Sequence, residues 1–464
     1  MLKKIGVVAA LVCACVLSFF LLSCGSSSSR PSGLLYVLTE GINGIGTNIT
    51  SYAIDLDSGS LSLINSNAST CQPIGASCGA PLDIVLDPTV ASAFVLNQGL
   101  PSLPAGPTIY PYNVNSDGSF SAPGTPVTWS SNLDVAVAMK RDAAGQFLFV
   151  IDQGASPTPG FPNPSQNNPS CPHTPTSPAD TCPSISVFQM TPGSTSLTLA
   201  PGSPYYVSKM PTGLSAITYT PSGGTAQELL FVSNNQDVCT PFPQNCPKPH
   251  DDNTVSVYSV DSTGALTEQS ASPYHVGGAN PTTVTALNVA QAGATTPVIF
   301  VYVGNNGPNG GDLNPFQLCT IVSQTCSQTD VNAGLLDPLV EACPQPPCNN
   351  VPPSAAGQNP VSIVPDPTNN FIYSLAQGSN QVFGFKINTT SGVLTALSPA
   401  NQPTGSQPVA MALHPSINNT GQFLYTSNSN SANITGFTLS PTSGAMSNGA
   451  TTTAPSTPTG MAAR

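Results

Sequence analysis

The sequence predicts an all-β protein: a seven-bladed β-propeller of four-stranded antiparallel blades, closed by pairing of the C-terminal strand with the N-terminal blade. Three observations carry this prediction. An apolar-aromatic segment recurs seven times along the 464 residues. The 49 prolines and 40 glycines mark many turns, and no stretch after the N-terminal apolar run keeps the spacing of an amphipathic helix. Finally, "PTGM" at Pro458 nearly repeats "PTGL" at Pro211, so the tail carries an element that the first repeat lacks.

The recurring strand reads "LLYVLTEG" at Leu34, "AFVLNQG" at Ala93, "FLFVIDQG" at Phe147 and "LLFVSNNQ" at Leu229. It continues as "FVYVGNN" at Phe300, "FIYSLAQG" at Phe371 and "FLYTSNSN" at Phe423. An alternating strand ending in a turn follows each copy, as in "TVSVYSVDSTGAL" and "QVFGFKINTTSGVL"; the fifth, "LNPFQLCTIVSQTC", is degenerate. Before every copy except the first comes a third element, mostly opening with Pro: "PLDIVLDP", "NLDVAVAM", "PTGLSAIT", "PTTVTALN", "PVSIVPDP" and "PVAMALHP". Seven of each close only if the tail completes the first repeat, which removes the free sheet edges that burden β proteins. The aromatic positions Tyr36, Phe94, Phe149, Phe231, Tyr302, Tyr373 and Tyr425 are 52 to 82 residues apart. A blade needs only about 40–45 residues, so the excess is loop. Residues 34–464 are therefore read as one propeller.

The N-terminus reads as an address. Lys3 and Lys4 precede an apolar run ending in "LLSC", the pattern of an export signal. "LSC" followed by "GSSSSRPSG" resembles the lipobox of bacterial lipoproteins, although Leu22 is bulkier than is usual there. The resemblance implies a signal peptide over 1–23, a lipid anchor on Cys24 and a Ser-rich tether over 24–33. A simple secretory signal and a transmembrane anchor are the weaker readings. Gly25 stands where an aspartate would retain such a protein at the inner membrane, so the expected address is the cell envelope, at the outer membrane.

Charge narrows the partners. Nine Lys and Arg face 21 Asp and Glu, for a net charge of −12. No basic patch could neutralise phosphates, which excludes nucleic acid. Beyond the membrane, the expected partner is a protein, a polysaccharide or a small-molecule ligand, and no cofactor is implied.

Of 13 cysteines, Cys13 and Cys15 fall in the signal and Cys24 takes the lipid. The other ten stand as neighbours: Cys71 and Cys78, Cys171 and Cys182, Cys239 and Cys246, Cys319 and Cys326, and Cys343 and Cys348. An even number in an exported chain points to disulfides, and local pairing is the economical connectivity. Zinc is disfavoured by the spacing and by the scarcity of histidine. Four of the pairs fall in connections on one face of the disc; the pair of Cys319 and Cys326 falls on the opposite rim.

Candidate site residues are few. His414 in "LHPS" takes the place of Asp87 in "LDP" and Asp366 in "PDP", which suggests a turn role. His250, Asp251 and Asp252 in "KPHDDN" are weak metal candidates, and His173 is expected on the same face. His275 lies in an outer strand or loop. Glu40, Asn97, Asp152, Asn234, Asn305 and Asn428 end the second strands, where they could bond a neutral ligand or cap loops. "GINGIG" opens no helix, and "DLDSG" lacks the length of a calcium loop.

The motifs "HPS…GQFLYTSN" at His414, "VSVYSVDSTGAL" at Val255 and the Pro-led strands resemble the YVTN/lactonase-type seven-bladed propellers, the 6-phosphogluconolactonase-like family. The resemblance spans roughly residues 34–464. It implies the fold and raises a lactone-processing activity served by His, Arg and Glu near the central channel. No residue here matches such a set, and a phosphorylated substrate would need cations that are scarce. The expectation from sequence is therefore a lipid-anchored surface binding module with one disulfide-clasped loop face. The alternative is a lactonase-like hydrolase acting on a sugar lactone or related neutral substrate at the channel mouth.

Overall fold

The computed structural model describes residues 33–40, 48–70, 79–98, 106–129, 134–155, 183–207, 209–220, 225–237, 253–291, 297–307, 310–320, 326–327, 329, 334–340, 350–414 and 422–464. Their strands form seven antiparallel sheets. The first blade runs, from inside outward, Thr457–Ala463, Leu34–Glu40, Asn48–Ile54 and Leu61–Ser69. The tail thus supplies the inner strand. Leu35 pairs with Ala463, Val37 with Met461 and Glu40 with Thr457. Two backbone bonds of 2.9 Å between Leu34 and Arg464 lock the end of the seam.

Blades 2 to 7 begin at Pro81–Leu86, Asp134–Arg141, Lys209–Tyr219, Pro281–Val289, Pro360–Pro365 and Pro408–His414. Each inner strand packs on the next, and Thr457–Ala463 joins Pro408–His414 to Pro81–Leu86, so the ring has no gap. The second strands read as unbroken apolar runs because both of their faces are covered. Ser92–Asn97 and Phe371–Ala376 are buried at every residue. Outer strands such as Met446–Thr453 are largely exposed and rich in Ser, Thr and Asn. The degenerate fifth copy still forms a full third strand, Gly310–Leu318.

Blades 3, 4 and 5 depart from the plain four-stranded pattern. Their outer strand is split into two short pieces, for example Leu197–Leu199 and Tyr205–Tyr206. The described core divides into seven clusters, one at each junction between neighbouring blades. Burial therefore happens between sheets rather than within one centre, as radial packing requires.

Asp87, Asp142 and Asp366 hold the turns between first and second strands. Asp366 accepts from the Phe371 N–H at 2.7 Å, and Asp142 from the Phe147 N–H at 2.8 Å. Burial works against charge on Asp87, yet the bonds it accepts from Thr89 and Ser92 hold its carboxyl below the usual range. His414 occupies the same turn in blade 7, pairing with Phe423 and buried.

Candidate functional site

Every inner strand carries a β-bulge near its start. In blade 2 the register jumps from Pro81↔Asn97 to Asp83↔Leu96, which leaves Leu82 unpaired. Val137, Thr212, Thr282, Val361 and Val409 are the corresponding extra residues in blades 3 to 7. In blade 1 the bulge covers Thr459 and Gly460. The opening Pro fits this geometry, because it has no N–H to leave unbonded at a strand start. Such bulges turn side chains off the pleat. Here they line the channel at the centre of the ring.

That channel holds a cavity of about 210 Å³. Its charged lining residues are Asp83 of blade 2 and Lys140 of blade 3. Asp83 is braced by backbone: one carboxylate oxygen accepts from the Ile84 N–H at 2.9 Å and the other from the Met139 N–H of the next blade at 3.2 Å. Lys140 is exposed. Hydroxyls line the wall elsewhere. Thr212 Oγ1 donates to the Pro281 carbonyl at 2.8 Å, and Thr282 bonds the Pro360 carbonyl in the same way. Thr459, their counterpart in blade 1, lines the cavity with a buried hydroxyl that has no hydrogen-bond partner among the described residues. A carboxylate, an ammonium and an unpartnered hydroxyl therefore sit on three consecutive blades.

Lys140 also lines a second cavity of about 350 Å³ at the opposite end of the inner strands, together with Arg141 and Asp142. Arg141 is committed to backbone there. Its Nε donates to the Leu86 carbonyl at 2.7 Å and its Nη1 to the Asp142 carbonyl at 2.8 Å. Burial lowers its pKa, with Asp142 and Asp87 opposing that shift.

The strand-end residues expected from sequence to face a ligand lie elsewhere. Asn97, Asp152, Asn234, Asn305 and Asn428 are buried and engaged. Asn97 Nδ2 donates to the Thr70 carbonyl at 2.7 Å, Asn234 Nδ2 to Ser256 Oγ at 3.1 Å, and Asn305 Nδ2 to the Asp312 carboxylate at 2.9 Å. Asn428 donates to the Asn433 side chain at 2.7 Å, and Asp152 accepts from Ser184 Oγ at 2.5 Å. These side chains cap and tie loops. Glu40 is half-buried at the seam of blade 1.

His275 ends the outer edge of blade 4, with its Nδ1 accepting from the Gly277 N–H at 2.9 Å. It borders a rim groove with Phe316, Pro338 and Val351, away from the channel.

Of the five cysteine pairs expected from sequence, one lies within the described residues. Cys319 and Cys326 form a disulfide with Cα atoms 5.3 Å apart, after the third strand of blade 5. Asp337 lies close to both sulfurs, but a disulfide offers no thiolate to a metal. The other four pairs lie outside the described residues: Cys71 with Cys78, Cys171 with Cys182, Cys239 with Cys246, and Cys343 with Cys348. So do the lipid-anchor candidate Cys24 and the metal candidates His173, His250, Asp251 and Asp252.

Asp83, Lys140 and Thr459 escaped the sequence reading. A signal existed: once the inner strands are aligned by their bulges, Asp83 stands where the other blades have Ala138, Gly213, Thr283, Ser362, Ala410 and Gly460.

Comparison with known proteins bears on the same architecture. Residues 350–462 match the family model described as lactonase, 7-bladed beta-propeller. This is the fold of the lactonase-type seven-bladed propellers. Among solved structures, the periplasmic gluconolactonase of Pseudomonas aeruginosa aligns with a TM-score of 0.56 at 16% identity, over 92% of this chain and 98% of that one. A candidate 6-phosphogluconolactonase of Bacteroides fragilis aligns with a TM-score of 0.55 at 13% identity, over 95% and 99%. At such identities the lactonase-type likeness is one of fold. No match was found among curated proteins.

Proposed function

We propose that this lactonase-type propeller opens an uncharged lactone ring in its central channel. The observation that carries this reading is the presence of Asp83 and Lys140 on adjacent blades in the lining of one cavity whose other described residues are hydroxyl-bearing, apolar or glycine. Asp83, held by two backbone N–H groups, takes a proton from the attacking water. Lys140 faces the carbonyl oxygen as it gains negative charge. Water adds to the carbonyl carbon, the ring C–O bond breaks, and the ring oxygen takes up the proton, giving a hydroxy acid. The family match over residues 350–462 and the fold shared with the gluconolactonase support this reading over a purely adhesive module. With one cation among the described residues that line the cavity, an uncharged lactone fits better than a phosphorylated one. The N-terminal motif adds a proposed lipid anchor on Cys24, which mass spectrometry of the mature N-terminus would test.

The test is turnover by the full chain of uncharged and phosphorylated lactones. Asp83→Asn and Lys140→Met should each lower kcat by about 100-fold or more while the fold is retained by circular dichroism. Unchanged kcat in both variants would remove the channel from the chemistry.

A further inference from the structure

The channel is divided by blade. The charges belong to blades 2 and 3, and in a sevenfold ring blade 6 stands opposite their junction. Blades 6 and 7 present Val361, Ile363, Val364, Val409, Ala410 and Met411 to the same cavity, with Ser362 the hydroxyl of that arc. Val361 and Val409 are bulge residues, as are Leu82 and Val137 on the charged side; in blades 4, 5 and 1 the same position carries Thr212, Thr282 and Thr459. Thr and Val have nearly the same shape, so this difference alters polarity while leaving the space much as it was. A polyhydroxylated ring lying across the channel would bury its hydroxyls against this arc without partners, and each unpaired hydroxyl costs affinity.

We propose that the ligand is an amphipathic lactone: an uncharged cyclic ester at the Asp83–Lys140 side carrying an aliphatic substituent against blades 6 and 7. This deepens the lactone reading of the channel and rests on it for the identity of the ring. The charged side orients the polar end, while the valine arc takes the hydrocarbon, whose burial is favourable in proportion to its area. The Thr212 and Thr282 hydroxyls, already donating to backbone, form the intermediate wall.

Binding can be separated from turnover by using lactams, which keep the ring carbonyl but resist hydrolysis. Calorimetry with the full chain would compare an unsubstituted δ-lactam with its propyl and hexyl derivatives. Affinity should rise by up to about fourfold per buried methylene until the arc is covered. The double variant Val361→Thr, Val409→Thr should flatten that rise, and a slope equal to that of the unchanged protein would overturn the inference. Chain-dependent lactam affinity without hydrolysis of any lactone would keep this inference and discard the hydrolase reading. Hydrolysis that favours gluconolactone, with lactam affinity flat or undetectable, would overturn the inference and leave the hydrolase standing.

Discussion

Glu228 shows how one side chain can set the pH behaviour of the ring. It lies near the start of the second strand of blade 4, where its carboxylate accepts from Thr218 Oγ1 at 2.5 Å. Burial pushes its pKa up to about 7; the Thr218 bond pulls the other way, and nearby Asp142 adds to the rise. The folded protein therefore holds a proton that the unfolded chain has already released above about 4.5. Stability should fall as pH climbs from about 4.5 to 7, by ~2 kcal/mol once partial exposure is discounted. Glu228→Gln should remove that slope in urea melts taken at several pH values; an equally steep decline in the variant would show that another group is responsible. Nothing in "AQELLFV" announces this, because the desolvation arises where blade 4 meets its neighbours. The same holds for Asp83. Its role depends on the Met139 N–H, 56 positions away in sequence and supplied by the next blade. The turn aspartates were legible, since Asp366 acts on residues within five positions of itself and Asp87 does so too, besides accepting from the Gly193 N–H of the next blade.

At the scale of the element, the recurring aromatic has two structural duties. The residue opposite it on the third strand is Ser51, Pro111, Val187, Val257, Pro315, Gly384 or Gly436. Around these positions the outer strand splits or slips register in several blades. Ser203 and Ser272 then accept the freed N–H of Val187 and Val257 at 2.8 and 2.9 Å, while Pro111 and Pro315 have no N–H to satisfy. The tyrosines also reach the next blade. The hydroxyls of Tyr302, Tyr373 and Tyr425 donate at 2.8 Å to the carbonyls of Gly392, Gly444 and Gly59, each in the outer hairpin of the following blade. Gly444 has φ +70, and a Cβ there would lie 2.4 Å from the Phe371 ring. Tyr373→Phe should cost about 1–2 kcal/mol by orphaning a buried carbonyl. Gly444→Ala should cost more, because it adds a clash to a strained backbone. Chemical denaturation would rank the two, and equal small losses would deny the clasp. The repeated Tyr and Gly were visible in sequence; that they bond across a blade boundary was not, since the partners are 71 residues apart in the case of Tyr373 and Gly444.

For the whole molecule, closure decides stability. The seven core clusters all lie at blade junctions, so opening one junction exposes apolar faces on two sheets at once. Met461 and Ala463 pack in the cluster between blades 7 and 1, and Ala462 in that between blades 1 and 2. Deleting residues 457–464 should strip the inner strand of blade 1, lower the melting temperature sharply and promote association through the bared edge of Leu34–Glu40. Thermal melts with size-exclusion chromatography would check this; a monomer with an unchanged melting temperature would mean that the seam carries no load.

Fold class, blade number and the pairing of tail with head were set by the sequence alone, because strand pattern and repeat phase are local properties that survive without coordinates. The composition of the channel was decided by the tertiary structure. Its walls take two to four residues from each of seven distant segments, and only ring closure and the bulges determine which of them turn inward. Asp83 reads as one more polar residue in a strand until the circle places it in one cavity with Lys140 and Thr459.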